Sequence, residues 1–242
     1  MENNEKQPET LSVSVSEDIV LRDVPPGTAA SSQSRKNDEK LPPEEMEKRQ
    51  RIMLEYTRLS GRYCEPHNKR SRWVKSEDIQ RVVVDGKDLV AMCSLPRGKY
   101  SGISALAHSQ IDDKDPLRFF VLPNGMVIIN PIISKHTLVP VLKDEGCMSF
   151  PYNDIKENVP RYNKITVSYQ TLEHAGDESK PVFSKVLTEG LTSGMAHIFQ
   201  HEVSHLNGVN IYDEDFKPES CEGLGVGPID EKEIEALYAE SK

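Results

Sequence analysis

The chain has 242 residues, a formal net charge of −9 and 36% hydrophobic residues, enough apolar side chains for one compact domain if part of the chain stays outside the core. The acidic balance argues against a surface that attracts nucleic acid throughout, leaving room only for a local basic patch. No run approaches eighteen apolar residues, so no membrane span is expected. The acidic start Met1-Glu2-Asn3-Asn4-Glu5 lacks an apolar signal core or an Arg-rich transit pattern. Cys64, Cys93, Cys147 and Cys221 form no CxxC pair, which suits a reducing, intracellular compartment better than a disulfide scaffold.

Residues 1 to 45 are rich in Glu, Ser, Asn, Gln, Lys and Pro and poor in aromatic or clustered aliphatic residues. They cannot bury enough apolar surface to offset ordering entropy and are expected to be a disordered or partner-bound tail. Residues 46 to 242 are expected to form a single domain. A first helix is predicted from Pro43 to about Leu59, with Met46, Ile52, Met53 and Tyr56 at roughly helical spacing, ending at Ser60-Gly61. The segment Arg62 to Lys75 is basic and carries Tyr63 and Trp73. It is the one candidate for contact with RNA or a partner, set against a plainer reading as a connector whose Trp73 packs on the domain. In the apolar runs Ile79 to Val84 and Leu89 to Leu95, period alone leaves helix and strand open.

From Phe119 the pattern turns to sheet. Phe119 to Leu122 and Met126 to Pro131 read as two strands joined at Pro123-Asn124-Gly125, with Asn124-Gly125 supplying positive φ. Further strands are predicted over Leu138 to Leu142, Lys164 to Leu172 and Pro181 to Thr188, with a reversal at Gly176-Asp177-Glu178. A helix is predicted from about Leu191 to Leu206, closed by Asn207-Gly208 in a left-handed cap, and a last short one from Asp230 to about Ala239.

The second half of the longer helix holds Gln200-His201-Glu202-Val203-Ser204-His205. Residues i and i+4 share one helix face, so His201 and His205 can direct two imidazoles at one metal ion while Glu202 projects beside them. Two neutral imidazoles leave positions for a third ligand and a water, whose proton a carboxylate can shuttle. No His or Glu follows in Leu206 to Ile211, so a third ligand must come from elsewhere. Upstream, Glu145-Gly146-Cys147-Met148-Ser149 sets a cysteine beside a glycine just after a predicted strand. By itself Cys147 reads either as a thiolate ligand or as a small buried hydrophobe.

These two segments, in this order, resemble the peptide deformylase family. Val127 to Pro131 is similar to the strand before that family's second motif, Val159-Pro160-Arg161 to the segment after it, and Gly190 to Gly208 to its metal helix, so the likeness covers roughly residues 75 to 215. It implies an α+β fold with antiparallel β-sheets packed around a central helix carrying HExxH. It also implies hydrolytic removal of the formyl group from the N-terminal formyl-methionine of nascent peptides. By the resemblance, Cys147, His201 and His205 would hold one divalent ion, Fe2+ in preference to Zn2+, and Glu202 would be general acid and base. The Gln110 side chain and the Met148 backbone N–H would stabilise the oxyanion, Glu145 and Arg161 would form a supporting ion pair, and Phe199, Ile198 and Leu106 would shape a methionine pocket. Formylated substrates imply a bacterial cytoplasm or, in a eukaryote, the mitochondrial matrix.

The likeness has gaps. Where the family has Gly-x-Gly-x-Ala-Ala-x-Gln, this chain has Ile103-Ser104-Ala105-Leu106-Ala107-His108-Ser109-Gln110, in which only Ala107 and Gln110 match. The Ala105 methyl is expected to narrow the site or exclude the usual peptide pose, and His108 reads either as a buried, satisfied side chain or as an added polar group in the cleft. Ser204 stands where the family has Asp, altering support of the metal helix, and His197 is expected to be a supporting or exposed residue and no ligand. The alternative function these gaps motivate is a catalytically impaired, deformylase-like structural or assembly factor, bound to the ribosome or its RNA through Arg62 to Lys75 and the tail.

Overall fold

A computed structural model describes residues 69–93, 103–149, 155–175, 180–214, 216–221 and 231–239. The expected tail over 1–45, the helix predicted from Pro43 and the Gly176-Asp177-Glu178 reversal lie outside them.

The central feature is a five-stranded antiparallel sheet in the order β1 (Leu106–Ala107), β2 (Phe119–Val121), β3 (Val127–His136), β6 (Lys164–Gln170), β9 (Leu187–Thr192). Alternation along the strands divides its side chains between two faces. Phe119, Val121, Val127 and Ile129 pack with Val82, Leu89, Val90 and Met92 of helix α1 (Ile79–Cys93). Phe120, Ile128, Ile133, Val167 and Tyr169 pack with Ala196, Phe199, Val203 and Leu206 of helix α2 (Ser193–Leu206). The α+β class is as expected, and α2 lies on one face of the sheet with α1 on the other. Helix α3 (Glu231–Ala239) adds Ile234 and Tyr238 against Ile132. Two short antiparallel pairs stand apart, β4 (Val141–Glu145) with β5 (Lys156–Arg161), and β7 (Leu172–Ala175) with β8 (Lys180–Phe183).

Several local expectations are corrected. The two apolar runs after Ser76 form one 15-residue helix, α1. In the β2–β3 hairpin only Gly125 has positive φ, at 87°. The Gly125 N–H donates to Leu122 O and the Leu122 N–H to Met126 O, so the loop is the expected Pro123-Asn124-Gly125, closed by a left-handed glycine alone. Strand β3 does not stop at Pro131, because a register shift between Ile129 and Ile132 takes up the proline and Asn130, whose φ is 53°. Leu138 and Val139 are not in a strand and are 95% and 74% exposed; pairing begins only at Val141, beyond Pro140. The predicted strand from Pro181 to Thr188 is two, interrupted at Ser184, whose N–H and hydroxyl are both bonded to Thr171. Leu191 and Thr192 end β9, and α2 starts at Ser193. At its other end only Gly208 is left-handed, with φ 78°, while Asn207 has φ −86°.

Candidate metal centre

On α2, the four-residue spacing stacks His201 and His205, and their Nε2 atoms lie 3.2 Å apart. Cys147 stands just past the end of β4 at Glu145, and its Sγ is 3.2 Å from His205 Nε2. The three ligand atoms all lie within 4.8 Å of one another. Two nitrogens bound tetrahedrally at about 2.0–2.1 Å would stand about 3.3–3.4 Å apart, so the two imidazoles already have the spacing that a shared ion requires. Two facing nitrogen lone pairs and a buried thiol this close need a positive charge between them. Burial opposes ionisation of Cys147, but the adjacent His205 and His201 outweigh it and hold the thiol well below its ordinary pKa. Burial likewise opposes charge on His201, yet hydrogen bonds with Cys147 and Glu145 lift it to about 10. A cation at that point would take the proton's place. The donor set therefore fits a divalent ion.

Behind the ligands, Glu145 accepts from His201 Nδ1 at 2.9 Å and from Arg161 Nε and Nη2 at 2.7 and 2.8 Å. Burial alone would raise the Glu145 pKa, but these two partners hold it near 2. The Arg161 side chain is wholly buried, with the Phe216 ring 5.1 Å from its guanidinium carbon. The expected ion pair is thus an interior one that sets the His201 tautomer. Ser204 donates its hydroxyl to Gln200 O at 2.7 Å and receives Arg161 Nη1 at 3.5 Å, so it touches the ion-pair support and not a ligand. Sequence reading assigned no role to Gln200, which fastens α2 to the end of β5: its Oε1 accepts the Tyr162 N–H and its Nε2 donates to Tyr162 O and Ala196 O. The only signal for it was its place directly before His201.

A cavity of about 290 Å³ opens over the triad, with His201, Glu202, Cys147, Gln110 and Met148 in its wall. Glu202 is 5% exposed, Oε2 has no hydrogen-bond partner among the described residues, and burial pushes its pKa up. Gln110 Nε2 donates to Ser149 Oγ at 2.9 Å, while Oε1 accepts the Ala107 N–H at 2.8 Å. Ala105 lines the cavity as expected. Of the predicted pocket residues only Ile198 does so; Leu106 and Phe199 lie in the two cores on opposite faces of the sheet, Phe199 edge-on to Phe120 at 5.0 Å. Ile103 supplies apolar wall in their stead. His197 lines the cavity outside the ligand set, with its Nε2 buried and unpartnered among the described residues. His108 is fully buried and hydrogen-bonded through both ring nitrogens.

Residues 69–75 of the basic segment clamp to the domain. Arg72 bonds Asp78 and Asp115, Val74 is buried, and Trp73 meets Tyr238 edge-on at 5.2 Å. This half of the segment is the connector with a packed Trp73.

A model of the family described as polypeptide deformylase matches residues 103–220. Peptide deformylase of Thermotoga neapolitana is 34% identical over 99 residues, 40% of this chain and 53% of that protein. Peptide deformylase of Opitutus terrae is 38% identical over 105 residues, 43% and 47% of the two chains. The chain spans about half the length of the curated relatives it matches. The crystal structure of peptide deformylase from Thermus thermophilus is 28% identical and aligns with 74% of this chain and 91% of that one, at a TM-score of 0.46.

Proposed function

We propose, from the match of a polypeptide deformylase family model to residues 103–220, that this chain is a metal-dependent hydrolase releasing formate from the N-terminal formyl-methionine of nascent peptides. The observation that carries this reading is the convergence of Cys147, His201 and His205 beneath a cavity that also holds Glu202 and Gln110.

Cys147, His201 and His205 would hold a divalent ion, Fe2+ in preference to Zn2+, which when bound would supply Lewis acidity and a water of lowered pKa. Buried Glu202, with Oε2 unengaged by the described residues, takes a proton from the attacking water and returns it to the departing amine nitrogen. Water adds to the formyl carbon, the C–N bond breaks, and formate and a free amine leave. The second Nε2–H of Gln110 and the Met148 N–H donate to the formyl oxygen as negative charge develops there. Ile198 and Ile103 offer apolar wall for the methionine side chain. Such a substrate implies a bacterial cytoplasm or an organelle as the working compartment.

The test is formate release from a formyl-methionyl peptide by protein loaded with Fe2+ under oxygen exclusion. Turnover is expected in the wild type, and its loss in Glu202→Gln with the metal retained. A metal-loaded wild type that releases no formate would reject catalysis and favour the non-catalytic alternative.

A further inference from the structure

His108 joins two separate elements. It begins a single 3₁₀ turn, His108–Gln110, whose third residue lines the cavity. From helix α1, Asp85 Oδ2 lies 3.0 Å from His108 Nε2, and at the entry to β2 the Leu117 N–H donates to His108 Nδ1 at 2.9 Å. A backbone N–H can only donate, so Nδ1 carries the lone pair and Nε2 carries the hydrogen given to Asp85. Burial, the largest influence on this ring, lowers its pKa and agrees with that neutral tautomer. Asp85 is itself braced by Arg81 at 3.5 Å, and Arg81 bonds Asp112 and Asp115 just beyond the turn.

The turn leaves Gln110 little freedom. Its Oε1 must be the atom facing the Ala107 N–H, which assigns the amide orientation, and one Nε2–H goes to Ser149 Oγ. Among the described residues none accepts the other hydrogen, which is available to a ligand in the cavity. A donor is effective only if it is held in place before charge develops. We infer that His108, gripped by Asp85 and Leu117, is a positioning residue that acts through Gln110, supplying an anchor for the turn in a segment that lacks both glycines of the deformylase motif. The inference rests on the proposed function for its kinetic consequence, though not for its structural one.

A double-mutant cycle on formate release tests it. His108→Ala is expected to lower kcat about 10- to 100-fold with KM changed less than about 3-fold. In a Gln110→Ala background the same change should cost less than about 3-fold, because the group it positions is gone. Asp85→Asn, which keeps an acceptor for His108 Nε2–H, should stay within about 3-fold of wild type. Equal losses of kcat in both backgrounds, or a folded His108→Ala protein with wild-type kcat, would overturn the inference. A readout free of catalysis accompanies the kinetics. In protein with 15N-labelled glutamine, the Gln110 side-chain amide, assigned by its disappearance in Gln110→Ala, should show two separated proton shifts and slow exchange. His108→Ala should collapse both toward those of exposed glutamines, and Asp85→Asn should preserve them. If formate release is absent in the wild type, the proposed function fails while these spectra still decide the placement of Gln110; an unchanged Gln110 signal in His108→Ala, or in Asp85→Ala should His108→Ala not fold, rejects the inference.

Discussion

Glu145 and His201 meet through one hydrogen bond, Nδ1 to Oε2 at 2.9 Å, and that bond turns the opposite ring nitrogen toward His205 and Cys147. A ligand imidazole held this way keeps its metal-facing lone pair without searching among tautomers. Glu145→Ala is expected to weaken metal affinity about 10- to 100-fold while leaving the three ligands in place. Competition against a chelator of known affinity measures it, and unchanged affinity would show that the bond is dispensable.

Glu145 also links stability to pH. Its folded pKa is held near 2 against an ordinary value of 4.5. A depressed carboxylate pKa contributes stability that is fully present above the unfolded value and is lost as pH falls through the folded one. Metal-free wild type should therefore lose stability between about pH 4.5 and 2, and Glu145→Gln should show a flatter profile across that window. Urea midpoints measured at several pH values compare the two; parallel profiles would contradict the assignment.

Ile198 and Phe199 are neighbours in sequence with opposite duties. Phe199 is packed against Phe120 and Tyr169 beneath the sheet, whereas Ile198 lines the cavity. Phe199→Ala should destabilise the fold by about 3–5 kcal/mol through the void it leaves. Ile198→Ala should act chiefly on KM for a formyl-methionyl peptide, with a smaller effect on stability. Denaturant unfolding and steady-state kinetics on both variants separate the effects.

Asn130 clasps the segment before α1. Its Oδ1 accepts the Val74 N–H at 2.8 Å and its Nδ2 donates to Val74 O at 2.9 Å, while its own carbonyl accepts the Tyr238 hydroxyl at 2.6 Å. Replacement by alanine strands both backbone groups of buried Val74 and keeps the positive φ. A loss of about 2–4 kcal/mol is expected, read from denaturant midpoints.

The sequence by itself determined the features that depend on spacing along one element. The i, i+4 pair of His201 and His205 had to share a helix face, alternation from Phe119 to Ile129 had to divide between two sheet faces, and Cys147 after β4 was in reach as a loop ligand. The resemblance named Arg161 as partner of Glu145, and the fold then made that pair an interior one. What only the tertiary structure decided is which neighbour each face meets. Ile198 and Phe199 sit about 100° apart on the same helix, and nothing in their types says which of them faces the cavity. The run from Ile79 shows its character as a helix only against the sheet that covers it. Strand β3 passes Pro131 because a bulge there takes up the missing donor. Asp85 and His108 belong to different elements, so their pairing, and through it the placement of Gln110, exists only once α1 and the entry to β2 have closed on the same turn. Local periodicity encodes faces and caps; the partner of a buried polar group is chosen by packing across the chain.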